Sequence, residues 1–228
     1  MLAIAMKIVC YVNSNNGKGD KIMSGTKQRE ELHKTIWKIA NDLRGSIDGW
    51  DFKNYVLGIL FYRYISENFA NYINAGKQEA GDTELDYAKL DDSMIDAETR
   101  DELIQTKGFF IYHSQLFGNV LIKAKNDENL NVTLADIFRS IEDSAMGIDS
   151  EEDMKGLFSD IDVNNVKLGG SVAERNKLLV KLLNGVGDMD LSDEFADNSI
   201  DAFGDAYEYL IGMYAANAGK SDGEYFIS

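Results

Sequence analysis

Residues 51–73, DFKNYVLGILFYRYISENFANYI, decide the fold of this chain. Apolar and aromatic side chains fall on nearly every face that a helix of this stretch would have, so the pattern predicts a helix at the centre of a bundle. Asp51 is predicted to cap its N-terminus, and the helix to run from Phe52 to about Ile73. Arg63 and Glu67 lie four residues apart, a spacing that allows an ion pair on one face.

The sequence on either side of this stretch also follows helical periodicity. Apolar residues recur every three or four positions between Thr26 and Leu43, and Gly45 ends that segment. Phe109–Tyr112 is the one aromatic run that fits a short strand, although it also fits a plug in the core. The chain is therefore predicted to be all-α, an irregular multi-helix bundle with at most one short β-hairpin. Further helices are predicted at about 96–106 (closed by Gly108), 116–125, 134–141, 172–183 and 200–216.

Aromatic and aliphatic residues at helical spacing are interpreted as core side chains and not as a platform for stacking nucleobases. This group comprises Trp37, Phe52, Tyr55, Ile59, Leu60, Phe203, Tyr207 and Leu210.

The composition excludes several kinds of site. The 228 residues contain one cysteine and two distant histidines, so neither a disulfide nor a thiolate or histidine metal centre is expected. They contain no proline, which excludes any motif that needs one. The apolar residues 1–12 are too few to span a bilayer, which needs about 20, and they lack the flanks of a secretory signal. We expect a cytoplasmic protein in which residues 1–25 form a flexible extension.

The charge is distributed unevenly along the chain. The net charge is −16, but residues 1–65 carry +4 and residues 66–228 carry −20. An acidic surface repels phosphate, so the chain alone should bind DNA weakly if at all, and any contact should fall on its N-terminal third or require a basic partner. The candidate DNA-binding residues are Lys34, Lys38, Arg44 and Lys53. The alternative is that these charges only solvate a helix face.

Three stretches resemble one known family. They are 48–67 (DGWDFKNYVLGILFYRYISE), 172–191 (VAERNKLLVKLLNGVGDMDL) and 201–226 (DAFGDAYEYLIGMYAANAGKSDGEYF). Together they are similar to the N-terminal helical domain of the methyltransferase (M) subunit of type I restriction–modification systems. The resemblance implies a helical domain over residues 26–218. Residues 219–228 would then begin the link to a catalytic domain.

The resemblance also implies a function. In that family the M subunit transfers a methyl group from S-adenosylmethionine to N6 of adenine in DNA. Two M subunits surround one DNA-specificity (S) subunit, and a restriction (R) subunit can join them. The helical domain packs against the catalytic domain and helps to close the complex around DNA.

The family's catalytic machinery is largely missing from this sequence. Gly223, Glu224, Tyr225 and Phe226 match part of a segment that helps to hold the cofactor. The catalytic loop, Asn-Pro-Pro-Phe/Tyr, cannot occur in a chain without proline, so no catalytic residue is assigned and the chain is expected to be inactive alone. The other hypothesis is a free-standing acidic helical adaptor, or an inhibitor that mimics DNA.

Overall fold

The fold is built from helices joined by short connections. The computed structural model describes residues 25–42, 49–82, 84–189, 208, 209 and 212, and these residues contain helix and turn but no strand. The all-α prediction is confirmed, and the β-hairpin is absent from this part of the chain. The α-helices here are α1 (Gly25–Asp42), α2 (Gly49–Glu79), α3 (Ala97–Lys107), α4 (Phe117–Ala124), α5 (Leu130–Asp143), α6 (Glu151–Met154) and α7 (Val172–Gly187); short 3-10 helices cover Tyr87–Lys89, Asp92–Met94, His113–Gln115 and Val166–Leu168.

Helix α2 is the central element, as predicted. Val56, Ile59 and Phe69 are fully buried, although these residues point in different directions around the helix axis. The predicted ends of the helix are wrong. Helix α2 starts at Gly49, so Asp51 lies inside the first turn and is not the N-cap. It also continues to Glu79, so its last turns run past the buried Ile73 through residues 75–79, which are solvent-exposed.

The aromatic run after α3 fills the core without forming a strand. Phe109 and Phe110 are buried, and both rings contact Phe69 of α2 with centroids 5.6 and 5.5 Å away. The Tyr87 hydroxyl donates a hydrogen bond to the Ile111 carbonyl at 2.8 Å. Backbone groups that would pair in a sheet are thus satisfied by side chains, which is why the plug is stable without a hairpin.

The helix ends follow ordinary capping rules. Asp96 accepts a hydrogen bond from the Thr99 amide at the start of α3. Gly108 ends the same helix in the left-handed conformation, with φ of 80°, which glycine adopts without steric cost. Ser171 and Glu174 form a reciprocal capping box at the start of α7. These signals explain why α3 and the start of α7 lie where the sequence predicts them.

The predicted core is partly confirmed. Phe52, Tyr55, Ile59 and Leu60 are buried in α2. Trp37 is 45% exposed, so its assignment to the core is wrong. Its neighbours Ile36 and Ile39 occupy the inner stripe of α1, and one residue along a helix rotates the side chain by about 100° away from that stripe. The remaining members, Phe203, Tyr207 and Leu210, lie outside the described residues.

Only three residues of the predicted helix 200–216 are described. Glu208, Tyr209 and Gly212 are helical, and the Tyr209 ring stacks on His33 of α1 with centroids 4.0 Å apart. Throughout the described ranges, no helix is both long and apolar enough to cross a membrane.

Candidate nucleic-acid interface

Helix α1 presents a basic outer face. Lys34 and Lys38 are both exposed and lie one helical turn apart. Glu30, Trp37 and Asn41 are exposed on the same side. The face therefore combines two ammonium groups with one carboxylate, one amide and one half-exposed aromatic ring, within a chain of strongly negative net charge.

The other predicted DNA-binding residues do not join this face. The Lys53 side chain is only 7% exposed, because it belongs to the central helix and is enclosed with it. It is therefore not available to a phosphate at the surface of this chain. Arg44 and the segment Gly223, Glu224, Tyr225 and Phe226 lie outside the described residues.

A groove runs between α1 and α7, next to Lys38. The two helices are in close contact where Gly185 faces Ile39: a Cβ on that glycine would lie 2.5 Å from Ile39 Cγ1. This contact forms the floor of a groove of about 330 Å³. Its walls are polar and comprise Thr35 and Lys38 of α1, Lys181 and Asn184 of α7, and Asp188 just after α7.

The groove carries more positive than negative charge. Among the described residues, neither Lys38 nor Lys181 lies within ion-pair distance of a carboxylate. Asp188 is the one acidic group in the lining, so the groove has two cations, one carboxylate, an amide and a hydroxyl. Lys181, Asn184 and Asp188 are all exposed to solvent.

Arg63 of α2 closes the C-terminal end of α7. Its Nη1 atom donates hydrogen bonds to the carbonyls of Val186, at 2.7 Å, and Met189, at 2.9 Å, while Nε pairs with Glu67 at 2.7 Å. The predicted Arg63–Glu67 ion pair is therefore confirmed. A helix C-terminus ordinarily repels anions, and a guanidinium on its last carbonyls offsets that repulsion beside the groove.

The two described histidines lie in different surroundings, since His33 stacks on Tyr209 whereas His113 lies in the core. His113 is buried against the Tyr87 ring, and its Nδ1 atom lies 3.4 Å from Asp92 Oδ1. Burial lowers the pKa of the His113 imidazole, and the nearby Asp92 only partly opposes that effect. In the described part of the chain, no three His, Cys, Asp or Glu side chains come together in a way that could hold a metal ion.

Lys107 is a further cation, but its side chain is buried. Its Nζ atom lies 4.3 Å from the centre of the Tyr72 ring, and burial lowers the pKa of its ammonium group. This cation–π contact ties α3 to α2 and gives Lys107 a structural role.

Sequence reasoning missed the contribution of α7. Lys177, Lys181 and Asn184 recur at four- and three-residue spacing, which could have identified the exposed stripe of that helix. No signal in the sequence says that this stripe lies beside α1, because the neighbour of a helix is fixed by tertiary packing.

Comparison with known proteins agrees with this architecture. The family described as the HsdM N-terminal domain matches residues 32–186, which is most of the chain. The chain belongs to this family. A second family, described as N-6 DNA Methylase, matches residues 198–227.

Two relatives carry informative names. The chain is 52% identical over 208 residues to the type I restriction enzyme MpnII methylase subunit of Mycoplasma pneumoniae, covering 88% of this chain and 38% of that protein. It also resembles the crystal structure of a type I restriction-modification system methyltransferase subunit from Streptococcus thermophilus. That match has a TM-score of 0.62 and 28% identity, and it covers 82% of this chain and 39% of the other. The chain thus spans about two fifths of the length of each relative.

Proposed function

We propose that this chain is the non-catalytic N-terminal module of a type I restriction–modification DNA adenine-N6 methyltransferase subunit. It would serve subunit assembly and closure around DNA. The observation that carries the proposal is the family match over residues 32–186, together with 52% identity to a type I methylase subunit. The acidic adaptor or DNA mimic was the other hypothesis, and both relatives named above are methylase subunits.

The partners follow from this proposal. A type I methylase subunit works in an assembly, so the expected partners are a DNA-specificity (S) subunit, a second M subunit and, in the larger complex, a restriction (R) subunit. DNA would be contacted only within the assembly, because the net charge of −16 opposes the approach of the isolated chain.

Chemistry would belong to the complete subunit. S-adenosylmethionine would be the methyl donor there, with Gly223, Glu224, Tyr225 and Phe226 forming part of its binding segment. The 228 residues contain no proline and therefore no Asn-Pro-Pro loop to hold a flipped adenine. The module would supply surfaces and leave the reaction to other parts of the assembly.

Assembly is the most direct test. The chain mixed with a DNA-specificity subunit should elute from size-exclusion chromatography as a complex, ahead of either protein alone. An unrelated helical protein of similar size and acidity is the matched control, since it should not co-elute. Separate elution of the two proteins at every salt concentration would contradict the proposed role in assembly.

Cofactor binding is a second, independent test. Isothermal titration calorimetry of the 228-residue chain with S-adenosylmethionine should give no measurable binding, because a partial segment cannot enclose a ligand that needs a concave site with many walls. A complete type I methylase subunit titrated in parallel is the positive control. An affinity in the micromolar range for this chain would overturn the non-catalytic assignment.

The DNA contact is proposed for the outer face of α1. Lys34 and Lys38 are exposed there, and Arg44 remains a candidate from the sequence. Lys53 is not proposed as a DNA contact in this chain, because it is buried. Replacing Lys34 and Lys38 by alanine in the assembly should weaken binding to all DNA sequences alike, since phosphate contacts carry no sequence information. Loss of discrimination between DNA sequences instead would contradict a phosphate role.

A further inference from the structure

The groove between α1 and α7 has the chemistry of an anion site. Lys38 and Lys181 come from different helices and line the same space, with the Asn184 amide and the Thr35 hydroxyl beside them. Lys38 and Lys181 lack an ion-pair partner within the described ranges, so their charges are not already neutralised there. Ammonium, amide and hydroxyl groups are all able to donate hydrogen bonds to an oxyanion.

We propose that this groove binds a phosphodiester of the DNA backbone, with Lys38 and Lys181 as the two cationic contacts. The inference rests on the proposed function and deepens it: it adds α7 to a DNA-facing surface that the sequence assigned to α1 alone. Asn184 then donates its amide N–H to a phosphate oxygen, and the Ile39–Gly185 contact sets the depth of the groove.

The shape of the surface favours a backbone with repeated charges. Lys34 lies one turn from Lys38 on α1, and Lys177 lies one turn from Lys181 on α7, and all four side chains are exposed. Residues four apart on a helix have Cβ atoms about 5–6 Å apart, so on each helix a second exposed lysine lies one turn from the lysine that lines the groove. Rows of positive charge suit a strand with a phosphate at every nucleotide better than a single isolated anion.

Asp188 allows a test in which the expected change in DNA affinity has the opposite sign. Its carboxylate lies in the same lining and repels a phosphate, whereas it would attract a cationic ligand. Removing this charge should therefore strengthen DNA binding, and removing either lysine should weaken it. The side chain of Asp188 takes part in no hydrogen bond that holds the end of α7, because the cap there uses its backbone N–H group.

The experiment is an NMR titration of the isotopically labelled 228-residue chain with a short DNA duplex at low salt, where weak binding is still measured. The side-chain amide of Asn184 and the backbone amides of Thr35 and Gly185 should shift on adding DNA. In the assembly with a specificity subunit, at about 0.15 M salt, Lys38→Ala and Lys181→Ala should each lower the affinity for DNA about 5-fold, and the slope of log affinity against log salt should become shallower by about 0.9 per lost contact. Asp188→Asn should raise the affinity.

The matched control is the double variant Lys125→Ala plus Lys155→Ala, which removes the same charge from exposed positions outside the groove. It should leave the groove shifts in place. Equal losses of affinity in this control and in the double variant Lys38→Ala plus Lys181→Ala, or shifts confined to Lys34 and its surroundings, would overturn the groove site. The chromatography with a specificity subunit would then still decide the proposed function separately.

Two further titrations separate the possible sources of the anion. Inorganic phosphate and an acidic peptide are each added at the same anionic charge as the DNA. If either produces the groove shifts as strongly as the duplex, the site belongs to a free anion or an acidic protein segment, and the DNA assignment is wrong. Shifts that are strong only with the duplex support it.

Discussion

Helices α1 and α2 follow one another in the sequence but play opposite parts in the molecule. Helix α2 is buried on most of its circumference, while α1 buries Ile36 and Ile39 and exposes Lys34, Trp37 and Lys38. Aromatic residues in α2 pack inside the bundle, whereas the aromatic ring on α1 meets solvent. The difference teaches that an aromatic side chain is diagnostic of the core only when apolar residues surround it on the helix.

The largest effect should come from truncating the centre of α2. Leu60 is 4% exposed, and Leu60→Ala should lower the free energy of unfolding by about 2–5 kcal/mol because it removes buried contacts and leaves a cavity. Chemical denaturation followed by circular dichroism measures this change. An unchanged denaturant midpoint would show that α2 is not the central helix.

Two glycines of α2 give a comparison within a single helix. A Cβ on Gly58 would lie 2.5 Å from Ile161 Cγ1 and still closer to Cδ1, whereas a Cβ on Gly76 meets nothing within 4 Å. Gly58→Ala should therefore destabilise the fold by about 1–3 kcal/mol through overpacking. Gly76→Ala should stabilise it by about 0.5–1 kcal/mol through helix propensity. Thermal unfolding of both variants checks the two signs, and Ile161→Ala should relieve the first defect.

His113 should make the stability of the core depend on pH. Because burial lowers its pKa in the folded chain, the unfolded chain takes up the proton first as the pH falls through its ordinary pKa of about 6.5. The contribution to stability is therefore complete above that pH and is lost below it. The free energy of unfolding, measured between about pH 5.5 and 7.5, should fall towards acid.

The control for this dependence is the other histidine. His113→Gln should flatten the pH dependence of the unfolding free energy over this range, whereas His33→Gln should leave most of it. The reverse ranking of the two variants would show that the stacked His33–Tyr209 pair, and not the buried imidazole, is responsible.

The smallest effect should come from the aromatic ring on α1. Trp37 is 45% exposed, so Trp37→Ala should change the free energy of unfolding by only about 0.5 kcal/mol, as exposed substitutions usually do. Denaturation under the conditions used for Leu60→Ala provides the direct comparison. A loss of unfolding free energy as large as that of Leu60→Ala would show that Trp37 belongs to the core.

Much of the fold could be predicted from sequence. The central position of α2 followed from its apolar residues on all sides, and the start of α7 at residue 172 was also predicted correctly. The C-terminal end of α2 could not be predicted, because the exposed residues 75–79 are compatible with either helix or loop. The outcome for Phe109–Tyr112 depended on which side chains would satisfy its backbone, and that is decided by distant residues such as Ser144, whose hydroxyl accepts from the Phe110 amide.

The candidate site was only half predictable. Lys34 and Lys38 lie off the apolar stripe of α1, so their exposure followed from periodicity. Lys53 was expected at the surface because a charged residue ordinarily reaches solvent. It is buried because a helix enclosed on most sides also encloses its polar residues. The groove could not be predicted, because its lining includes Lys181 and Asn184, which are more than 140 positions from Lys38 in the sequence. Only the packing of α1 against α7 brings these residues together.

The contact made by Arg63 has a mechanical consequence. Its guanidinium holds the carbonyls of Val186 and Met189, and the methylase-family match begins at residue 198, soon after this point. Unwinding the last turn of α7 would therefore have to break hydrogen bonds to a side chain from the middle of α2, so the end of α7 and the central helix are tied together.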